Sequence, residues 1–315
     1  MYLGIDLGGT HISAGLVNEE GKLLKKTVCK NLVDKSCEEY VKNMIALCQN
    51  ILDDQGMTIS QINSVGIGFP GTPDNEKGTV SCNSSIKINN APIREEFNKY
   101  FDVKVYLEND ANCAALSEAV VGAARDCEHS VTITLGTGIG VGIVTNKKVY
   151  SGFNNAGSEA GHNILVVDGE KCPCGRRGCW EAYSSAPALK REAVKLLEND
   201  KNKTSCMFKM VNNDLSRVDG KIIFEASKQG DVIAQKVVAQ YVKYLSEGIA
   251  NIINVLMPEV LVIGGGISRQ GDYLLEMLKS RVYELIYTKN EPKTAIKIAE
   301  LGVDAGIIGA AMLGR

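Results

Sequence analysis

Ile5-Asp6-Leu7-Gly8-Gly9-Thr10-His11-Ile12-Ser13-Ala14-Gly15-Leu16-Val17-Asn18 and Ile133-Thr134-Leu135-Gly136-Thr137-Gly138-Ile139-Gly140-Val141-Gly142-Ile143-Val144-Thr145-Asn146 align without a gap. Each is an apolar run, a turn of Gly and Thr, and a second apolar run, the pattern of two strands closed by a tight hairpin. Two apolar hairpins can match by coincidence. The alternative is a duplicated domain, one hairpin from each copy facing the other around a cleft, which makes the chain α/β with two related domains. A length of 315 residues suits two domains that each bury a core.

The flanking sequence carries the same alternation. A turn over 18–21 leads into a third strand over 22–29. Tyr40, Val41, Met44, Ile45, Leu47, Cys48 and Ile51 fall at helical spacing and predict a helix over 36–52. Residues 65–69 and 103–107 read as strands, and 110–121 as a helix entered at Asp110. Beyond the second hairpin, Ile233, Val237, Tyr241, Leu245, Ile249, Ile252 and Leu256 form one stripe of a long helix over 231–256. Pro258 follows it, as is common past a helix end. A buried-type strand over 260–263 runs into Gly264-Gly265-Gly266, and 305–313 reads as a short helix of small residues. No Pro- or Ser-rich linker separates the halves.

Charge excludes several partners. With 35 basic and 37 acidic residues, the formal net charge is −2, and no basic cluster supports binding to nucleic acid or a membrane surface. Strand-like sequence begins at residue 2 with no charged and apolar leader pattern, and no apolar stretch approaches the roughly 20 residues of a spanning helix. A cytoplasmic protein is expected. Seven of the ten cysteines (Cys29, Cys37, Cys48, Cys82, Cys113, Cys127, Cys206) are scattered singly, as small apolar residues of a reducing compartment are. The other three crowd into Cys172-Pro173-Cys174-Gly175-Arg176-Arg177-Gly178-Cys179.

Glycine turns expose backbone N–H groups and admit a phosphate closely. Gly8, Gly9 and Thr10, with Thr137 and Gly138 from the second hairpin, are therefore candidates to hold a polyphosphate, and Asp6 beside the first turn to hold Mg²⁺ through water. No P-loop motif is present. Gly66-Ile67-Gly68-Phe69-Pro70-Gly71 mimics a dinucleotide fingerprint, but Pro70 removes an N–H and 72–78 is turn chemistry where that fingerprint needs a helix. In Glu108-Asn109-Asp110, Asn109 or Asp110 can cap the following helix. A carboxylate at that junction can also accept a hydroxyl proton, the one covalent task phosphoryl transfer sets a protein. His162 with Cys172, Cys174 and Cys179 supplies the four ligands of a closed, structural Zn²⁺ site. Such a site would pin Glu159 and Glu181 together, two carboxylates suited to sugar hydroxyls. Gly265 and Gly266 either let a nucleotide base or ribose approach the strand end or form a packing turn.

These motifs occur in order along essentially the whole chain: Ile5–Thr10, Glu108–Asp110, Leu135–Gly140, Glu159–His162, Cys172–Glu181, Ile263–Ile267 and Gly306–Ala311. In this the chain resembles the ROK family of sugar kinases and related repressors, within the actin-like ATPase superfamily. The resemblance implies an α/β, ribonuclease H-like fold of two domains flanking a cleft: 1–112 with a returning helix over 302–315, and 113–301. It implies that Gly8, Gly9, Thr10, Thr137 and Gly138 bind ATP phosphates and that Asp110 is the catalytic base toward a sugar 6-hydroxyl. Asn109, Glu159, His162 and Glu181 match sugar-binding positions, the histidine meeting zinc with one ring nitrogen and sugar with the other, and Gly71 and Asn83 lie in segments lining the same pocket. His11 stands where members often have Lys, and 86–89 lacks the aromatic residue of many glucokinases. The implied activity is ATP- and Mg²⁺-dependent phosphorylation of a hexose, glucose first, with N-acetylmannosamine, fructose or another hexose as alternatives. A sugar-responsive regulator is the reading from another class. The family also implies a homodimer or homotetramer.

Overall fold

A computed structural model describes residues 1–31, 36–82, 86 and 88–315. Two compact units divide the chain: Met1–Thr132 with Val141–Ser158 and Ala299–Arg315, and Ile133–Gly140 with Glu159–Ile298.

The first unit opens with β1 (Tyr2–Leu7), β2 (His11–Val17) and β3 (Leu23–Lys30), the hairpin and third strand that the sequence predicts. Then come α1 (Cys37–Asp54), β4 (Ser64–Phe69), β5 (Thr72–Asp74), β6 (Thr79–Cys82), β7 (Ile88–Ala91), α2 (Ile93–Asn98), β8 (Val105–Asn109) and α3 (Asp110–Val120). Its five-stranded sheet has the order β3-β2-β1-β4-β8. The first three strands are antiparallel, and β1, β4 and β8 run parallel. Ser36 starts α1 with a capping box, its hydroxyl accepting the Glu39 N–H at 3.2 Å while the Glu39 carboxylate accepts the Ser36 N–H at 2.9 Å. The helix buries Tyr40, Val41, Met44, Leu47, Cys48 and Ile51 against Leu3, Ile5, Ile12 and Ile67 of the sheet.

Residues 72–78 are not turn alone. β5, β6 and β7 form a small antiparallel sheet, with the turn confined to Asp74–Gly78, where the Asp74 carboxylate accepts the Lys77 N–H at 3.0 Å. A three-residue strand carrying Pro73 gives too little alternation to read from sequence.

The last helix of the chain, Ala305–Met312, packs on this unit through missing side chains. Gly4 and Gly66 are paired in register on β1 and β4, and a Cβ on either would collide with the carbonyl of Ile307 or Ala310. A Cβ on Gly309 would strike the Cys113 carbonyl of α3. Glycine at these places is what lets helix, sheet and α3 meet backbone to backbone. The end of α3 is tied down by Glu118, 1% exposed, whose carboxylate accepts the N–H groups of Ala123 (2.8 Å), Glu300 (3.2 Å) and Leu301 (3.0 Å).

The remaining elements are β9 (Ser130–Leu135), β10 (Ile139–Thr145), β11 (Lys148–Val149), α4 (Glu181–Ser184), α5 (Ala186–Asn199), α6 (Met207–Met210), α7 (Gly220–Lys228), α8 (Val232–Leu256), β12 (Val260–Gly264), α9 (Asp272–Leu285), β13 (Ala295–Ile298) and α10 (Ala305–Met312). A second five-stranded sheet has the order β11-β10-β9-β12-β13. Asp231 caps α8 by accepting the Ala234 N–H at 2.9 Å, and Met257, at φ 40°, ends it in the left-handed conformation just before Pro258. The predicted stripe of α8 is buried from Val237 to Ile252, against α5, α7 and α9. No helix among the described residues is long and apolar enough to cross a membrane.

Candidate active site

In the first unit the candidates gather at the carboxyl ends of the parallel strands, where ligands of open α/β sheets bind. Asp6 on β1 lies opposite Gly68 on β4, and Phe69 opposite Asn109, the last residue of β8. Asn109 settles the capping question: its carboxamide oxygen accepts the N–H groups of Ala111 (2.9 Å) and Asn112 (3.3 Å). Its Nδ2 donates to the Gly71 carbonyl at 3.2 Å, so these two predicted sugar residues are in contact. Asp110 is then the first residue of α3, where the helix N-terminus favours negative charge. One Asp110 oxygen accepts the Ala111 N–H at 2.8 Å.

The first glycine turn is held from a residue that sequence reasoning missed. Asn31 donates its side-chain N–H to the Gly8 carbonyl at 2.7 Å and its backbone N–H to Thr10 at 2.8 Å. The Thr10 hydroxyl pairs with His11 Nδ1 at 3.0 Å, so His11 buttresses the turn. Burial pushes the Asp6 carboxyl up, opposed by the charge of Lys26. A divalent cation held there would reverse that direction. Asn83 lies outside the described residues.

In the second unit one residue joins three motifs. Ile139, the first residue of β10, donates its N–H to Glu181 Oε2 at 2.9 Å. Its carbonyl stands where a Cβ on Gly161 would be, so the Glu159–His162 turn rests on it. The Glu181 carboxylate also occupies the place of a Cβ on Gly138, and its Oε1 lies 3.6 Å from Cys172 Sγ. The Gly136-Thr137-Gly138 turn, the Glu159–His162 turn and the cysteine segment are therefore one assembly with Glu181 at its centre. Thr137 stays exposed. Glu159 is also exposed, yet partial burial of its carboxyl holds it above its ordinary range, with His162 opposing and Glu181 reinforcing the shift. Gly265, at φ 83°, packs where a side chain would strike the Leu135 backbone. Packing thus accounts for Gly265, and it places exposed Gly265 and Gly266 beside the start of the Gly-Thr-Gly turn.

Ligand atoms of His162, Cys172, Cys174 and Cys179 all lie within 4.8 Å of one another. The His162 Nδ1–Cys172 Sγ distance is 3.6 Å and the Cys174–Cys179 Sγ distance 3.7 Å. Tetrahedral Zn²⁺, with bonds of about 2.05 Å to N and 2.3 Å to S, requires edges of about 3.6 and 3.8 Å. These two edges and the His/Cys₃ donor set are compatible with that ion. Nδ1 is the nitrogen turned toward Cys172, so a metal held there would leave Nε2 for a second partner. Burial pushes the Cys172 thiol up to about 12, so metal binding would have to release its proton. Desolvation acts on Cys174 in the same sense, but hydrogen bonds from the Arg176 backbone and the neighbouring thiols outweigh it, and this exposed thiol ionises most readily.

Trp180 locks the assembly to α8. It is 2% exposed, donates Nε1–H to the Tyr244 carbonyl at 3.1 Å, and lies flat where a Cβ on Gly248 would stand. An isolated Gly in a helical pattern was the one available signal, and it marks a close approach.

Comparison with known proteins gives a consistent picture. The profile described as the ROK family matches residues 2–315. A glucokinase of Thermotoga maritima is 37% identical over 99% of this chain and 96% of its own. A ROK family glucokinase of Streptomyces griseus, solved in complex with glucose and AMPPNP, superposes with a TM-score of 0.85 at 31% identity, covering 99% of this chain and 98% of that one. A xylose repressor of Caldicellulosiruptor bescii is 26% identical over 98% of this chain, which spans 76% of the repressor.

Proposed function

The chain belongs to the ROK family, and from that premise we propose that it is an ATP-dependent hexose kinase that converts glucose to glucose 6-phosphate. The observation that carries the proposal is Glu181: one carboxylate fixed between a metal-ligand cluster and a glycine phosphate turn. A sugar hydroxyl donated to it is held beside the turn suited to the nucleotide's phosphates.

Each side chain has a task in this reading. Glu159 and Glu181 accept hexose hydroxyls in charge-assisted hydrogen bonds, and His162 adds Nε2. Asn109 orients the sugar while capping α3, with Gly71 beside it, and Asn83 joins the same pocket. Asp110 takes the proton of the 6-hydroxyl as its oxygen attacks the γ-phosphorus; that O–P bond forms, the bond to the β-phosphate oxygen breaks, and ADP leaves. Gly8, Gly9, Thr10, Thr137 and Gly138 offer backbone and hydroxyl donors to the phosphates, Gly265 and Gly266 approach the nucleoside, and Asp6 would hold Mg²⁺. Mg²⁺ would supply charge neutralisation on the phosphates, and Zn²⁺ on His162, Cys172, Cys174 and Cys179 would supply rigidity to the glutamate pair. The nine cysteines whose side chains are described form no disulfide with one another, which suits a cytoplasmic enzyme. Glucose leads among the hexoses because the relative with the highest identity quoted above is a glucokinase.

The test is ADP release measured on a panel of hexoses. Glucose-dependent turnover supports the proposal. Tight sugar binding without turnover on any hexose favours the regulator reading.

A further inference from the structure

We propose that Glu108 is a positioning residue for phosphoryl transfer, a fixed negative charge that sets the start of α3 and thereby the direction of Asp110; this rests on the kinase reading above. Glu108 is 7% exposed, one residue before the N-cap. Its Oε1 accepts two donors, the Asn109 N–H at 2.8 Å and Asn112 Nδ2 at 3.0 Å. Its Oε2 accepts the Ser151 hydroxyl at 3.1 Å. Three donors thus converge on one buried carboxylate, filling three of its roughly four lone-pair sites.

The arrangement reworks a capping box. In the usual form, the third helical residue reaches back to the N-cap N–H. Here that residue is Asn112, and it reaches Glu108, which in turn holds the Asn109 N–H. Charge fixes the sense of the amide: only the NH₂ of Asn112 can face a carboxylate, and its Oδ1 has no partner among the described residues. Asn109 and Asp110 thus start the helix from a clamped position. Ser151 extends the clamp to a closed loop, whose neck is made by Gly157 N–H to the Ser151 carbonyl (2.8 Å) and the Ser158 hydroxyl to Tyr150 (2.7 Å). Glu159 follows directly.

Glu118 is the internal control. It is a buried carboxylate on α3 itself with backbone donors of its own, but all of them lie at the far end from Asp110. If buried carboxylates here served stability alone, the two would behave alike.

The experiment is steady-state kinetics on the full chain with glucose and ATP, beside thermal melting, for wild type, Glu108→Gln, Ser151→Ala, Glu118→Gln and the swap Glu108→Gln/Asn112→Asp. A misplacement of about 1 Å at a reacting group costs on the order of 100-fold. Glu108→Gln is accordingly expected to lower kcat about 10- to 100-fold while both KM values stay within about threefold. The swap restores a donor–acceptor pair between positions 108 and 112 and is expected to recover most of kcat. Ser151→Ala loses a few-fold, and that loss disappears in the Glu108→Gln background. Glu118→Gln lowers the melting temperature without lowering kcat. A Glu108→Gln enzyme within twofold of wild-type kcat, or a swap no better than the single variant, overturns the assignment of Glu108 alone. A wild type inert toward every hexose overturns the kinase reading, and this inference with it.

Discussion

Gly248→Ala tests how the cysteine segment is anchored, because helix propensity and packing predict opposite signs. Alanine is better than glycine by about 1 kcal/mol in a helix interior, so an unobstructed site in α8 would gain stability. The site is obstructed. A Cβ on Gly248 meets Cε2, Cδ2 and Nε1 of the buried Trp180 indole, which also donates to Tyr244. Overpacking a filled core costs about 1–3 kcal/mol, and displacing the indole forfeits a hydrogen bond of about 1 kcal/mol. The sum, less the propensity gain, is a net loss of about 1–3 kcal/mol. For a domain of this size each kcal/mol moves Tm by about 2–4 °C, so calorimetry should show a fall of roughly 2–12 °C. Trp180 precedes Glu181, so the glucose KM should rise as well. An alanine variant that melts at or above wild type would mean that the indole moves at no cost and that Trp180 does not anchor the segment.

Other predictions address single roles. Asp110→Asn should lower kcat by about 10²–10⁴ while calorimetric binding of glucose persists; near-normal turnover would remove Asp110 from its role as base. Cys174→Ser should lose bound zinc by elemental analysis and weaken glucose binding, whereas full metal content would contradict the ligand set. Glu118→Ala, which leaves three backbone N–H groups without their carboxylate, should cost about 3 kcal/mol in denaturant melts, and a cost under about 1 kcal/mol would show those groups resolvated.

What could be read beforehand was whatever lay close along the chain. Both hairpins, α1, α8 and the gathering of His162 with Cys172, Cys174 and Cys179 depend on spacings that are short along the chain, and their residues announce them. Asn31 on the Gly8 turn and Ser151 on Glu108 were not legible, because each contact joins residues 23 and 43 positions apart and depends on strand order. Ile139 was hidden for another reason. It acts through its backbone, as an N–H for Glu181 and a carbonyl against Gly161, and nothing in an isoleucine side chain reports that. The pairing of Gly4 with Gly66 likewise became meaningful only once their register put both under the last helix. Asn109 and Asp110 were a tie in sequence, since either side chain can cap; the observed bonds give the cap to Asn109 and leave Asp110 at the helix start.

The most direct test of the account is the product of wild-type enzyme incubated with glucose, ATP and Mg²⁺, identified by phosphorus NMR. Glucose 6-phosphate and ADP are expected in equal amounts, formed only when sugar is present. Inorganic phosphate released at the same rate without sugar would contradict that expectation.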